Sequence, residues 1–163
     1  MSSIYVDELA DAVIETCRTA GLMVATAESC TGGLIVGALT EIAGSSDVVE
    51  CGFVTYSNDA KQTLLGVPKG LLVRVGAVSE EVACAMAEGA LAESEAQLSV
   101  SVTGISGPGG GTETKPVGLV HMAVAREGWE TSHFRDVFPG DRSAVRTAAV
   151  IAALQRLREV ASG

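Results

Sequence analysis

Residues 22–42 constrain this chain more than any other stretch. The apolar run Leu22-Met23-Val24-Ala25 opens a strand over 22–27, and the apolar run from Leu34 to Ile42 belongs to a helix over 32–42. Between them stands Glu28-Ser29-Cys30-Thr31-Gly32-Gly33. A strand that passes into a helix through a short polar turn puts that turn at the open end of a sheet and at the positive end of a helix. Unpaired N–H groups there can hold an anion, or meet the oxyanion that a nucleophile creates. Two readings follow. In one, Ser29 is a nucleophile, with Glu28, Thr31, Gly32 and Gly33 around the substrate. In the other, the segment is a tight turn, with Thr31 capping the helix and the glycines serving packing. Cys30 is a second candidate nucleophile, because a thiol at a helix start is activated. Consecutive residues at a strand end point in different directions, so only one of Ser29 and Cys30 can aim into a site.

The rest of the chain alternates helical and strand patterns. Leu9, Ala12, Val13, Thr16 and Cys17 recur at helical spacing and predict an amphipathic helix over 5–19, ended by Gly21. A polar loop at 44–47 precedes a strand over 48–57. Asn58 is placed to cap a short helix over 59–65, which the stretch Gly66 to Gly70 stops. Residues 71–78 read as an irregular apolar connection. Ser79 caps the next helix, which runs to Glu93 with Glu80 and Glu81 in its first turn. A strand over 97–103 leads into a glycine-rich loop, Gly104 to Pro116. Strands over 117–126 and 130–138 form a hairpin, and Asp141 caps a last helix that reaches Val160. Helices that alternate with strands, followed by a late hairpin, argue for an α/β fold with a mixed, mostly parallel sheet and helices on both faces. The 163 residues, without repeat or linker, fit one domain over 1–163.

Composition narrows the function classes. The formal net charge is −9, which repels phosphate backbones and argues against direct nucleic-acid binding. No apolar run is long enough to span a membrane, and no basic segment followed by an apolar run marks a signal peptide, so the expected location is the cytoplasm. Four cysteines without CxxC spacing and two histidines give no zinc signature, so free thiols and no metal are expected. Cys17 and Cys84 fall in helical patterns and read as core residues. Alanine-rich helix faces suit a homo-oligomer, a dimer or higher.

Three further groups can carry chemistry. A serine needs a base to take its proton, and in a chain poor in histidine a lysine is the candidate. Lys61, in the first turn of a helix, has its cation disfavoured by the dipole and by burial. Tyr56, at the preceding strand end, can relay the proton or hold the substrate; otherwise the two are an exposed lysine and a strand-end tyrosine. The loop Thr103-Gly104-Ile105-Ser106-Gly107-Pro108-Gly109-Gly110-Gly111-Thr112 leaves a strand with many N–H groups and little bulk. It suits a phosphate or carboxylate, or is a plain surface loop. Arg142 and Arg146 share a face at the start of the last helix. They are positioned for an anion, or for pairing with surface carboxylates.

Taken together, Thr26-Ala-Glu-Ser-Cys-Thr-Gly-Gly33, Gly44-Ser-Ser46, Val54-Thr-Tyr-Ser-Asn-Asp-Ala-Lys61, Gly76-Ala-Val-Ser-Glu-Glu81, Thr103 to Thr112, Lys115-Pro-Val-Gly118 and Gly140-Asp-Arg142 stand in a distinctive order. The chain resembles the CinA C-terminal domain family of stand-alone nicotinamide-nucleotide amidases, over about residues 5–160. The resemblance implies a three-layer α/β/α sandwich. It implies hydrolysis of the carboxamide of nicotinamide mononucleotide to nicotinate mononucleotide and ammonia, in pyridine nucleotide recycling, without metal or cofactor. By the same resemblance the nucleophile falls on Ser29, the lysine and tyrosine on Lys61 and Tyr56, and further site residues on Ser46 and Thr103. Gly104, Gly107, Arg142 and Arg146 join them as candidate substrate contacts, with a pyridine mononucleotide as the small-molecule partner. The family's loop commonly reads TGIAGPGGG, where this chain has Ser106. Two other readings are a nucleotide-binding module without catalysis and a protein partner in competence or the DNA-damage response. A short-chain dehydrogenase is excluded, because no GxGxxG follows the first strand.

Overall fold

The computed structural model describes residues 3–163. In chain order the elements are α1 (Ser3–Ala20), β1 (Val24–Glu28), α2 (Leu34–Thr40), β2 (Val49–Val54), α3 (Asn58–Leu65), α4 (Lys69–Val75), α5 (Glu80–Ala92), β3 (Leu98–Gly104), β4 (Leu119–Arg126), β5 (Ser132–Val137) and α6 (Arg142–Ser162), with one 3-10 turn at Ser45–Asp47. The sheet has the order β2-β1-β3-β4-β5. β1 runs parallel to both neighbours, and β3-β4 and β4-β5 are antiparallel. The sheet is therefore mixed, with three parallel strands at one side and the hairpin at the other. Among the described residues no helix is long and apolar enough to cross a membrane.

Side-chain alternation along β3 explains the two outer layers. Leu98, Val100 and Val102 point to the face covered by α1, α2 and α6, where Ile14, Leu39, Leu154 and Leu157 are fully buried. Each such side chain contributes about 1.5–3 kcal/mol by leaving water. Ser99, Ser101 and Thr103 point the other way, toward α5. Their hydroxyls donate to the carbonyls of Ala87, Ala83 and Ala77 at 2.6, 2.6 and 2.9 Å. The first two bonds require the α5 backbone to come close, and small residues allow it: Ala83 and Ala87 meet Ala123 and Ala125 of β4, while Ala77 precedes the helix. Gly89 serves a second close approach, since a Cβ there would lie 2.1 Å from the carbonyl oxygen of Leu65 in α3.

The order and type of the expected elements hold, with changes in one connection, two caps and several bounds. Residues 69–75, expected as the end of a stop signal and an irregular connection, form α4. Pro68 takes its N-cap position, and Leu71, Leu72 and Val75 pack on the core beneath α3 and α5, which outweighs Gly70. Ser57, not Asn58, caps α3 by accepting the Ala60 N–H at 3.0 Å. Thr31 does not cap α2; the Glu28 carboxylate does so from a strand end. β2 and both hairpin strands are also shorter than expected, spanning 49–54, 119–126 and 132–137, as is α2, which spans 34–40.

The connections create a crevice. From β1 the chain crosses through α2 on one face to β2. It returns through α3, α4 and α5 on the other face to β3, on the opposite side of β1, and then moves outward to β4. The connections from β1 and β3 thus leave in opposite directions, which opens a cleft at the C-terminal ends of these two strands.

Candidate active site

Ser29 follows β1 in that cleft and is 8% exposed; Lys61, in α3, is 1% exposed. The Lys61 Nζ lies 3.0 Å from the Ser29 Oγ, 2.9 Å from the Thr55 carbonyl oxygen and 3.4 Å from that of Tyr56. Burial pulls the Lys61 pKa below its ordinary value, and only the neighbouring Cys30 thiol works weakly against this. A neutral amine has two N–H donors and one lone pair. In that form, with the two carbonyls taking the hydrogens, the lone pair would face the Ser29 hydroxyl. Thr55 and Tyr56 were not recognisable in this capacity from sequence, because a carbonyl acceptor leaves no residue-type signal.

Cys30 lines the same cavity but does not suit the nucleophile's role. Burial, opposed by contacts with Ser106 and Arg146, pushes its thiol up to about 11, so it stays protonated. The bonded partner of Lys61 is Ser29.

The turn after Ser29 is fixed from within. Glu28 is fully buried. Its carboxylate accepts the Thr31 hydroxyl at 2.7 Å and the N–H groups of Ile35 and Val36 at 2.9 and 3.0 Å. This corrects the expectation that Glu28 and Thr31 contact substrate: both are out of reach, and the carboxylate satisfies the start of α2, whose N-cap Gly33 has no side chain to do so. Gly32 and Gly33 have φ +58 and +101, which favours glycine. The Gly32 N–H is already donated to the Ser29 carbonyl at 3.0 Å. Of the residues that follow Ser29 in the turn, Cys30 is the one that lines the cavity, and its N–H has no acceptor outside its own residue among the described residues.

The opposite wall is the end of β3 and the glycine-rich loop. Thr103 and Gly104 line a cavity of about 300 Å³ together with Ser29, Lys61 and Tyr56. Gly107, at φ +80, offers its carbonyl to Arg142 Nη1 at 2.8 Å. The Tyr56 hydroxyl accepts from Arg142 Nη2 at 3.0 Å. Tyr56 is 62% exposed and its phenol makes no hydrogen bond to Lys61 or Ser29, so the relay reading gives way to a place at the mouth. Arg142 also lines a neighbouring cavity of about 490 Å³ with Ser106, Ser143 and Arg146. Arg146, expected beside Arg142 as an anion ligand, donates from Nε to the Cys30 carbonyl at 3.0 Å and from Nη2 to the Thr31 carbonyl at 3.4 Å.

Ser46 is not brought to this cleft. It is exposed in the 3-10 turn that leads into the N-terminal end of β2, whereas Ser29 follows the C-terminal end of the parallel β1. The two serines stand at opposite ends of the sheet, because α2 runs back along the strands between them.

A model of the CinA C-terminal domain family matches residues 6–161. The chain belongs to that family. Its Escherichia coli (strain K12) relative, nicotinamide-nucleotide amidohydrolase PncC, is 49% identical over 150 residues, which cover 92% of this chain and 91% of that protein. The CinA-like protein of Geobacter sulfurreducens is 50% identical over 148 residues, 90% of this chain and 35% of that protein. The chain spans about a third of the length of this and similar longer curated relatives. The crystal structure of competence/damage inducible protein CihA from Agrobacterium tumefaciens has a TM-score of 0.93 to this chain at 52% identity, and the match covers 96% of this chain and 95% of that one. The mixed α/β architecture is thus that of solved CinA-superfamily proteins.

Proposed function

We propose that the chain hydrolyses the carboxamide of nicotinamide mononucleotide, giving nicotinate mononucleotide and ammonia, with Ser29 as nucleophile and Lys61 as base. The observation that carries this reading is the buried 3.0 Å contact between Lys61 Nζ and Ser29 Oγ. The amidohydrolase name of the Escherichia coli relative, which matches along nearly its whole length, supplies the substrate.

Lys61 takes the Ser29 proton as Oγ forms a bond to the carboxamide carbon. The oxyanion meets the Cys30 N–H. When the tetrahedral centre collapses, the C–N bond breaks and nitrogen leaves as ammonia with the proton held by Lys61. Water then attacks the acyl-enzyme, with Lys61 again as base, and the carboxylate product is released. Arg142 at the mouth is the candidate for the substrate phosphate. Its guanidinium stands between the catalytic cavity and the larger one beside it, and the Tyr56 hydroxyl holds it there. The place of this reaction in pyridine nucleotide recycling follows from its substrate and product.

The test is ammonia release from nicotinamide mononucleotide by wild type and Ser29→Ala, with and without chelator. Turnover that survives chelator and falls at least about 10³-fold in the variant supports the scheme. Turnover that persists in Ser29→Ala removes Ser29 as the nucleophile.

A further inference from the structure

The two arginines at the start of α6 share a helix face but differ in their surroundings. Arg142 is exposed at the cavity mouth and its partners are a phenol and one loop carbonyl. Arg146 is half-buried and reaches across to the turn after the nucleophile, where it bonds the successive carbonyls of Cys30 and Thr31. It also lies against Gly32: a Cβ there would stand 3.3 Å from Arg146 Nη2. A planar guanidinium has donors enough to hold two neighbouring carbonyls at once, which an ammonium does less well.

The turn is therefore gripped from two sides. Glu28 holds the Thr31 hydroxyl and the Ile35 and Val36 N–H groups at the start of α2, and Arg146 holds the carbonyls of Cys30 and Thr31. Between these grips the Gly32 N–H bonds back to the Ser29 carbonyl at 3.0 Å. The peptide joining Ser29 to Cys30 is planar and trans, so its N–H points opposite to its C=O. With the Ser29 carbonyl drawn into the turn, the Cys30 N–H is directed out of it. That N–H is the one assigned above to the oxyanion.

We infer that Arg146 is a positioning residue for the reaction: it ties the nucleophile turn to α6 and keeps Ser29 and the Cys30 N–H in register. It is not a ligand for the substrate phosphate. This inference rests on the amidase reading, and it separates two arginines that sequence treats as a pair.

The experiment compares Arg146→Ala and Arg146→Lys with wild type and Arg142→Ala, each confirmed folded by thermal unfolding well above the assay temperature. A small misplacement of reacting groups costs about 10²-fold, so kcat of Arg146→Ala should fall by about that factor while KM stays within about threefold. Arg146→Lys, which can reach one carbonyl, should recover part of the loss. Arg142→Ala should show the opposite split, a raised KM with kcat little changed. The second readout needs no natural substrate. A small fluorophosphonate labels an activated serine, and its phosphoryl oxygen occupies the oxyanion position. Labelling of Ser29 should be about 10²-fold slower in Arg146→Ala. A variant that is only less stable would label at the wild-type rate. A raised KM with unchanged kcat in Arg146→Ala, or unchanged labelling, overturns the inference. Wild type that labels on Ser29 but does not release ammonia from the nucleotide overturns the substrate while leaving the labelling comparison to decide Arg146. Wild type that does not label at Ser29 overturns both.

Discussion

Replacing Lys61 with methionine isolates the base from the rest of the site. Methionine keeps an unbranched apolar stem under α3 and removes the nitrogen, and with it the contacts to Ser29, Thr55 and Tyr56 at 3.0, 2.9 and 3.4 Å. A positioned general base is worth about 10²–10⁴ in rate. Among the described residues Ser29 is the one side chain that the lysine bonds, so the loss of kcat should fall within that range, about 3–5 kcal/mol of barrier. KM should change little, since Lys61 is 1% exposed and bonded to the nucleophile. The pH dependence has a defined sign. Burial sets the Lys61 pKa below the ordinary 10.5, so wild-type kcat/KM should climb as Lys61 loses its proton and level off before the ordinary lysine range. The variant should lack that limb. Stability carries the same signature: between the folded and unfolded pKa values the folded chain binds fewer protons, so wild type gains stability as pH rises toward 10.5, and Lys61→Met should not. The assay is ammonia release as a function of pH, with urea unfolding at matched pH. A Ser29→Ala, Lys61→Met double variant should be no slower than Ser29→Ala alone, because the two residues act as a unit. A Lys61→Met enzyme within about tenfold of wild type, or one that keeps the ascending limb, would refute the lysine base.

Other consequences follow from single contacts. Glu28→Gln has one acceptor oxygen where the carboxylate has two, so either Val36 or the pair Thr31 and Ile35 loses its partner; unfolding free energy should drop by about 1–3 kcal/mol in urea titration. In Gly89→Ala the new methyl would stand 2.1 Å from the Leu65 carbonyl oxygen, a backbone atom that cannot swing away. The overpacking cost of about 1–3 kcal/mol should exceed the helix-propensity gain of about 1 kcal/mol, so Tm should fall rather than rise. His121 is buried against His133 at 2.8 Å, and burial first, then His133, Arg135 and Lys115, lower its pKa to about 4 against the weaker pull of Glu80. The unfolded chain takes up that proton from about pH 6.5 downward and the folded chain only near pH 4, so about 3 kcal/mol of stability should be lost across this window. His121→Leu should show a shallower acid loss in pH-dependent thermal unfolding.

How much of this was readable without coordinates depends on the kind of work each residue does. Ser29 and Thr103 were readable as candidates because they stand at or just beyond strand ends, where a polar residue interrupts an apolar run and a parallel sheet gathers those ends into one crevice, and Lys61 because it stands in the first turn of the helix after β2. Glu28 and Arg146 belong to the same stretches, and the contacts they make were not legible, for a shared reason. Both are charged residues beside a candidate nucleophile, and adjacency in sequence is silent on whether a charge faces the cavity or the backbone. The side-chain alternation of β1 sends Glu28 beneath the turn, where α2 begins with glycine and has no cap of its own, so the carboxylate is absorbed by N–H groups. Arg146 is one helical turn beyond Arg142. That single turn moves its guanidinium from the mouth to the carbonyls of Cys30 and Thr31. Ser46 was misplaced by a longer lever: only the course of α2 decides to which end of the sheet the loop after it returns. Motif order locates the cleft, but what each charged residue beside it touches depends on which backbone groups remain unpaired once the helices are capped. In this chain Glu28 takes up the first N–H groups of α2 and Arg146 the carbonyls of Cys30 and Thr31, while Cys30 itself lines the cavity.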